Sequence, residues 1–275
     1  MTEIKTKTLA QLHDLTNRWA VITGGAGHVG FVAAQTLLEL GANVILVDRS
    51  ESGLEKAKQA LQVTERVHTL VCDLSQRSDV DKAVLQIIEW TDNHLAVLIN
   101  NAAFVGTDKL EGWAVPFDQQ SIDTFEQCLT VNLTSPFQLC QGCAPSLTKF
   151  GQGDSSASII NVSSIYAHIG PRMEMYEGTA MGNPAAYGAS KAGLELSTKW
   201  LASNLAPHVR ANNIVLGGIF RGQPESFLNQ YNNHNLMGRM AEEEDLKGAF
   251  ALLASDASKY MTGQSIVIDG GWLAL

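Results

Sequence analysis

The chain has 275 residues, 45% of them hydrophobic, which is ample for one large core. Its 28 acidic against 19 basic residues give a net charge of -9, a balance that repels polyanions and argues against nucleic acid as a partner. Four cysteines form no disulfide framework, no apolar run reaches the length needed to cross a bilayer, and residues 1–18 lack the apolar centre of a signal peptide. A cytoplasmic setting without membrane partners is expected.

Strand-sized apolar runs bounded by turn residues fall at 19–23, 43–48, 67–73, 95–100, 158–163, 211–216 and 265–269. Amphipathic stretches lie between them, for example 29–40 and 80–90. This alternation predicts an α/β fold: a doubly wound (Rossmann) sheet of seven parallel strands with helices on both faces. One domain is expected over 1–275, with 1–18 as an N-terminal extension. Ligands of such sheets bind beyond the carboxyl ends of the strands, so the residues following each strand carry the functional reading.

After the first strand comes Thr23-Gly24-Gly25-Ala26-Gly27-His28-Val29-Gly30, leading into a helix. Glycines there permit a tight turn and let backbone N–H groups and the helix N-terminus meet a pyrophosphate, making Gly24, Gly27, His28, Val29 and Gly30 candidate cofactor contacts. The second strand closes on Asp48, whose carboxylate is placed to accept both hydroxyls of an adenosine ribose. It would repel a 2′-phosphate, favouring NAD over NADP, although the guanidinium of Arg49 next door is a group able to receive that phosphate. Asp73 and Asn100, at the ends of the third and fourth strands, suit either adenine and ribose contacts or the capping of turns.

Asn132, in Thr130-Val131-Asn132-Leu133, falls inside a predicted helix, where asparagine has poor propensity; a specific hydrogen-bonding task is one reading, tolerance the other. Cys140 and Cys143 form a C-x-x-C, but no second thiol pair or histidine cluster completes a zinc set, so packing of small residues accounts for them and no metal is expected. Asn161-Val162-Ser163-Ser164 delivers hydroxyls into the crevice, with Ser164 the better placed. Tyr187 and Lys191 then stand four residues apart on one helical face. A free phenol titrates near 10, and an adjacent ammonium is expected to lower it. The run Glu242-Glu243-Glu244-Asp245 reads as acidic residues at the positive end of a helix.

Taken as a set, these residues resemble the short-chain dehydrogenase/reductase family, in its shorter single-domain branch, from Trp19 to the C-terminus. The resemblance is carried by the glycine turn, Asp48, Asp73-Leu74, Asn100-Asn101-Ala102, Asn132, Asn161 to Ser164, Tyr187 to Lys191, Thr262-Gly263-Gln264 and Asp269-Gly270-Gly271. It implies that Tyr187 is the general acid/base, that Lys191 lowers its pKa and holds the nicotinamide ribose, that Ser164 orients the substrate oxygen, and that Asn132 supports a water-linked proton relay. It further implies cofactor contacts from Leu74, Ala102, Gly218 and Ile219, and a homotetramer paired through helices around 121–150 and 186–204.

The chain departs from the family pattern in three places. His28 stands where the shorter branch has its second glycine, giving a G-x-x-G-x-x-G spacing more typical of a longer branch; a sugar-nucleotide epimerase or dehydratase is therefore the alternative, and a non-catalytic nucleotide sensor on the same fold is another. Leu216-Gly217 replaces the usual Pro-Gly. The gap between Ser164 and Tyr187 is long, so 164–186 and 217–240 are expected to form loops over the crevice. There the chain is similar to members from bacterial surface-sugar and flagellin-glycan pathways, which implies a small polyhydroxylated, sugar-like substrate. An anionic group on it would be met by Arg172, Arg221 or Arg239, with His168 on the same segment.

Overall fold

The computed structural model describes residues 6–105, 108–179 and 181–275. All seven expected strands are present: β1 Trp19–Thr23, β2 Asn43–Asp48, β3 Val67–Val71, β4 Leu95–Asn100, β5 Ala157–Ser164, β6 Val209–Leu216 and β7 Ser265–Ile268. They form one parallel sheet in the order β3-β2-β1-β4-β5-β6-β7. Successive strands step outward from β1 to β3, then the chain crosses back to β4 and steps the other way. The crevice of such a sheet opens at this reversal, above β1 and β4.

The helices are α1 Leu9–His13, α2 His28–Glu39, α3 Glu51–Ala60, α4 Arg77–Trp90, α5 Ile122–Leu129, α6 Ser135–Gly151, α7 Ala185–Leu205, α8 Glu225–Asn233 and α9 Glu244–Ala254. Strand residues alternate between two cores. Val44 and Leu46 of β2 pack with α2, α3 and α9, whereas Ile45 and Val47 pack with α4, α6 and α7. Both faces are thus covered, and β4, β5 and β6 are buried along their whole length. A smaller cluster of Ile165, Met175, Val215, Phe227, Tyr231, Met240 and Trp272 supports the two long loops after β5 and β6.

Some boundaries differ from expectation. Strand β3 stops at Val71: the Cys72 N–H makes the last ladder bond, to the Asp48 carbonyl at 2.9 Å, and Asp73 then begins a turn, accepting the Ser75 N–H at 2.9 Å. Strand β5 runs one residue further, so Ser164 is its last residue. The polar lead before β1 is tied down: Lys7 and Arg18 both reach the Asp256 carboxylate, at 3.2 and 3.0 Å. No helix among the described residues is long and apolar enough to cross a membrane.

Candidate active site

A cleft of about 1070 Å³ lies across the carboxyl ends of the strands. At one end is the turn between β1 and α2. Gly24 has φ +67°, the left-handed region that suits glycine, and a Cβ on Gly30 would stand 2.2 Å from the Gly24 carbonyl oxygen, so only hydrogen fits there. Gly27 is the N-cap of α2 and offers no side-chain cap, leaving the first N–H groups of that helix to an external acceptor. Asp48 accepts from the Ala26 N–H at 3.2 Å and from the Ser50 N–H at 3.0 Å, which fixes its carboxylate beside the turn. Arg49 lies 5.7 Å over the Phe104 ring. Gly24, Gly27, His28, Val29, Asp48, Arg49, Asp73, Leu74 and Ala102 all line this end. The geometry fits an adenine dinucleotide, with the glycine turn for its pyrophosphate and Asp48 for a ribose.

At the other end, β5 and α7 bring Ser164, Tyr187 and Lys191 together on the cleft wall, with Gly218 and Ile219 facing them from the segment after β6. Lys191 Nζ donates to the Val162 carbonyl at 2.8 Å and stands 5.8 Å from the centre of the Tyr187 ring. Burial dominates the titration of both groups. It pushes the Tyr187 phenol up to about 12, with a hydrogen bond to the Ser164 hydroxyl working the other way, and it pushes Lys191 down to about 8. The expected lowering of the phenol by its neighbour is not seen: the ammonium is anchored to the strand backbone, and the loss of water around the phenol sets the direction of the shift.

Two expected site residues have side chains that point away from the cleft. Asn132 lies in a π-helical turn, Thr130–Thr134, between α5 and α6, not in a regular helix interior. Its Oδ1 accepts from the Phe104 N–H at 2.8 Å, while Nδ2 donates to the Phe104 carbonyl and to Ser190 Oγ, each at 3.1 Å. It is fully buried and does not line the cleft; it fixes the strand-to-loop corner that does. Asn100 likewise points inward. It is in register with Asn161, which is in register with Asn213, and its Nδ2 donates to Asn161 Oδ1 at 2.8 Å and to Cys140 Sγ at 3.3 Å. Its neighbour Asn101 is the one at the glycine turn, donating to the Thr23 carbonyl at 3.0 Å. Gly30 also lies off the cleft surface, packed against Gly24. The C-x-x-C is explained by the same core: Cys140 and Cys143 are buried in α6, and burial raises both thiols to about 12.

The loop from Ser164 to Tyr187 contributes to the cleft wall, while Arg172, His168 and Arg239 of the two long loops lie outside the cleft lining. Arg172 lies 5.9 Å over the Trp272 ring, outside the cleft lining. His168 turns away to the buried Glu195 carboxylate at 3.1 Å, which also accepts from Ser163 Oγ at 2.6 Å. Arg239 pairs with Asp245 at 2.6 Å, beside a separate small cavity behind the loop. From this loop Ile165, Tyr166, Tyr176, Met181, Gly182 and Asn183 face the cleft. The two tyrosine hydroxyls share a hydrogen bond of 2.8 Å, and Asn183 donates to that of Tyr176 at 3.3 Å. Opposite them, Tyr231 accepts the Gly218 N–H at 2.7 Å, and Arg221 lines the rim with its Nη1 on Glu243 at 2.8 Å. An aromatic residue on a long loop was the sequence signal for Tyr176; the contact of Glu243 with Arg221 had none.

A family model described as Enoyl-(Acyl carrier protein) reductase matches residues 24–273. The post-translational flagellin modification protein A of Campylobacter coli is 29% identical, covering 94% of this chain and 99% of its own. A probable galactose dehydrogenase of Rhizobium meliloti is 31% identical, covering 95% and 97%. Among solved structures, a short-chain dehydrogenase of Leptospira borgpetersenii with bound NAD+ superimposes with a TM-score of 0.82 at 28% identity, covering 99% and 98%. An active-site complex of Pseudomonas aeruginosa RhlG with NADP does so with 0.82 at 27%, covering 95% and 98%.

Proposed function

The chain belongs to the short-chain dehydrogenase/reductase family, and from that premise we propose that it is an NAD-dependent oxidoreductase acting on an alcohol or carbonyl of a neutral, polyhydroxylated, sugar-like substrate. The observation that carries this reading is the convergence of Ser164, Tyr187 and Lys191 at one end of a cleft whose other end holds the glycine turn and Asp48. The dinucleotide, when bound, supplies or accepts the hydride. The protein handles the accompanying proton. Tyr187 keeps its proton at neutral pH and so is set to donate it to an alkoxide forming on the substrate, with the Ser164 hydroxyl stabilising the same oxygen. Lys191, held against Val162, carries the positive charge that favours the phenolate left behind.

The preference for NAD rests on Asp48, fixed by two backbone N–H groups at the point where a 2′-phosphate would arrive. Relatives of known structure hold either dinucleotide, so this preference is specific to the reading of Asp48. The neutral character of the substrate follows from the charges: Arg172 and Arg239 are outside the cleft and Arg221 faces Glu243. Hydroxyl and amide groups of Tyr166, Tyr176 and Asn183 remain to meet substrate hydroxyls. The relative named as a galactose dehydrogenase fits the same chemistry. Residues 1–275 would act as one domain, and copies would pair through α6 and α7, where Phe137, Leu196 and Trp200 are exposed. Light scattering tests that pairing.

The test of function is a fluorescence titration with NADH and NADPH, followed by activity on neutral aldoses, ketoses and polyols beside sugar acids and simple alcohols. Tighter NADH binding and turnover of the neutral sugars are expected. Preference for apolar alcohols, or for sugar acids, would refute the substrate class; stronger NADPH binding would refute the cofactor assignment.

A further inference from the structure

Arg221 and His28 come from opposite sides of the cleft and bracket one carboxylate. Glu243, just before α9, places its Oε1 2.8 Å from Arg221 Nη1 and 3.9 Å from His28 Nδ1. His28 is the first residue of α2, so the shared carboxylate links Arg221, of the loop after β6, to the N-terminal end of α2, and both residues line the cleft. A helix N-terminus that lacks a side-chain cap attracts an anion, so Glu243 stands beside the subsite read here as that of the pyrophosphate.

The pair is built to be exchanged. Glu243 is half exposed, so its pairing with Arg221, and the longer contact with His28, hold it weakly. Arg221 uses only Nη1, on Glu243 and on the Phe220 carbonyl, and among the described residues its Nη2 and Nε meet no acceptor. A pyrophosphate offers several oxygens and two charges to the planar fork, which a lone carboxylate touched through one nitrogen does not.

We propose that Arg221 is a phosphate ligand of the dinucleotide, giving up Glu243 for the pyrophosphate, and that Glu243 is the placeholder that holds the loop after β6 over the glycine turn until then. This rests on the cofactor reading above. It also takes Arg221 away from the substrate, where the sequence had placed it.

ADP-ribose, which carries the pyrophosphate but no nicotinamide, is the probe, with adenosine as the phosphate-free control, both followed by calorimetry on the full chain. Arg221→Gln is expected to weaken ADP-ribose at least tenfold and Arg221→Lys to recover only part of that. Glu243→Gln is expected to tighten it about threefold or more, because the arginine no longer has to leave a partner. Adenosine should bind all four proteins alike. Unchanged ADP-ribose affinity in Arg221→Gln, or weaker affinity in Glu243→Gln, overturns the proposal while leaving the cofactor reading intact. A wild-type protein that binds neither ADP-ribose nor NADH overturns both. Melting curves for each variant separate a loss of fold from a loss of contact.

Discussion

Lys191 sits one helical turn beyond Tyr187, yet its ammonium is secured by the sheet: Nζ donates to the carbonyl of Val162 at 2.8 Å while standing 5.8 Å from the centre of the phenol ring. A charge buried this way is held in place for the reaction at a cost to the folded state, and that cost is measurable.

Burial lowers Lys191 from 10.5 to about 8, so between those pH values the unfolded chain still holds a proton that the folded chain has released. Stability therefore rises with pH across this window, by up to about 3 kcal/mol from this residue. Urea midpoints at pH 8 and pH 10 should separate for the wild type, and Lys191→Met should remove most of the separation. A variant whose midpoints moved apart as widely as those of the wild type would show that Lys191 is charged throughout.

The Tyr187 phenol, raised to about 12, has the opposite sign: the folded chain keeps its proton above pH 10 where the unfolded chain loses it, so stability falls from 10 towards 12. Tyr187→Phe should flatten that fall. The same variant should lose about a thousandfold in turnover while NADH affinity changes less than threefold, since it removes the proton donor and leaves the cleft walls in place. Ordinary activity in Tyr187→Phe would end the assignment.

Asn132→Ala leaves the Phe104 N–H and carbonyl without their partner in a fully buried corner. A loss of about 2–3 kcal/mol in urea unfolding is expected. A cost near zero would mean that the corner is held by other contacts.

Tyr176→Phe removes the hydroxyl shared by Tyr166 and Asn183 at the cleft wall. The KM for the sugar-like substrate should rise several-fold, with NADH affinity unchanged. An equal loss in NADH binding would place this loop on the cofactor instead.

Much of the fold was written locally. Seven apolar runs separated by turn residues and amphipathic stretches are short-range patterns, and every one became a strand of the parallel sheet. The glycine turn, Asp48, Ser164, Tyr187 and Lys191 were legible for a related reason: each follows or closes a strand, or repeats at helical spacing, and the doubly wound topology sends such positions to one crevice. Where the structure differs from expectation, a side chain had two directions open to it. Asn100 ends a strand as expected, but register with Asn161 turned it into the sheet. Asn132 lies in a π-turn rather than a regular helix, and its amide meets the Phe104 backbone.

What the sequence determined by itself is therefore the order of elements, the parallel sheet and the arrival of a phenol, a hydroxyl and an ammonium at the same edge, because periodicity and topology act through neighbours along the chain. Only the tertiary structure decided which arginines face the cleft, that burial raises Tyr187 rather than letting Lys191 lower it, and that Glu243 meets Arg221 and His28. Those outcomes depend on the loss of water and on contacts between residues far apart in the chain, and no local pattern of residues encodes either.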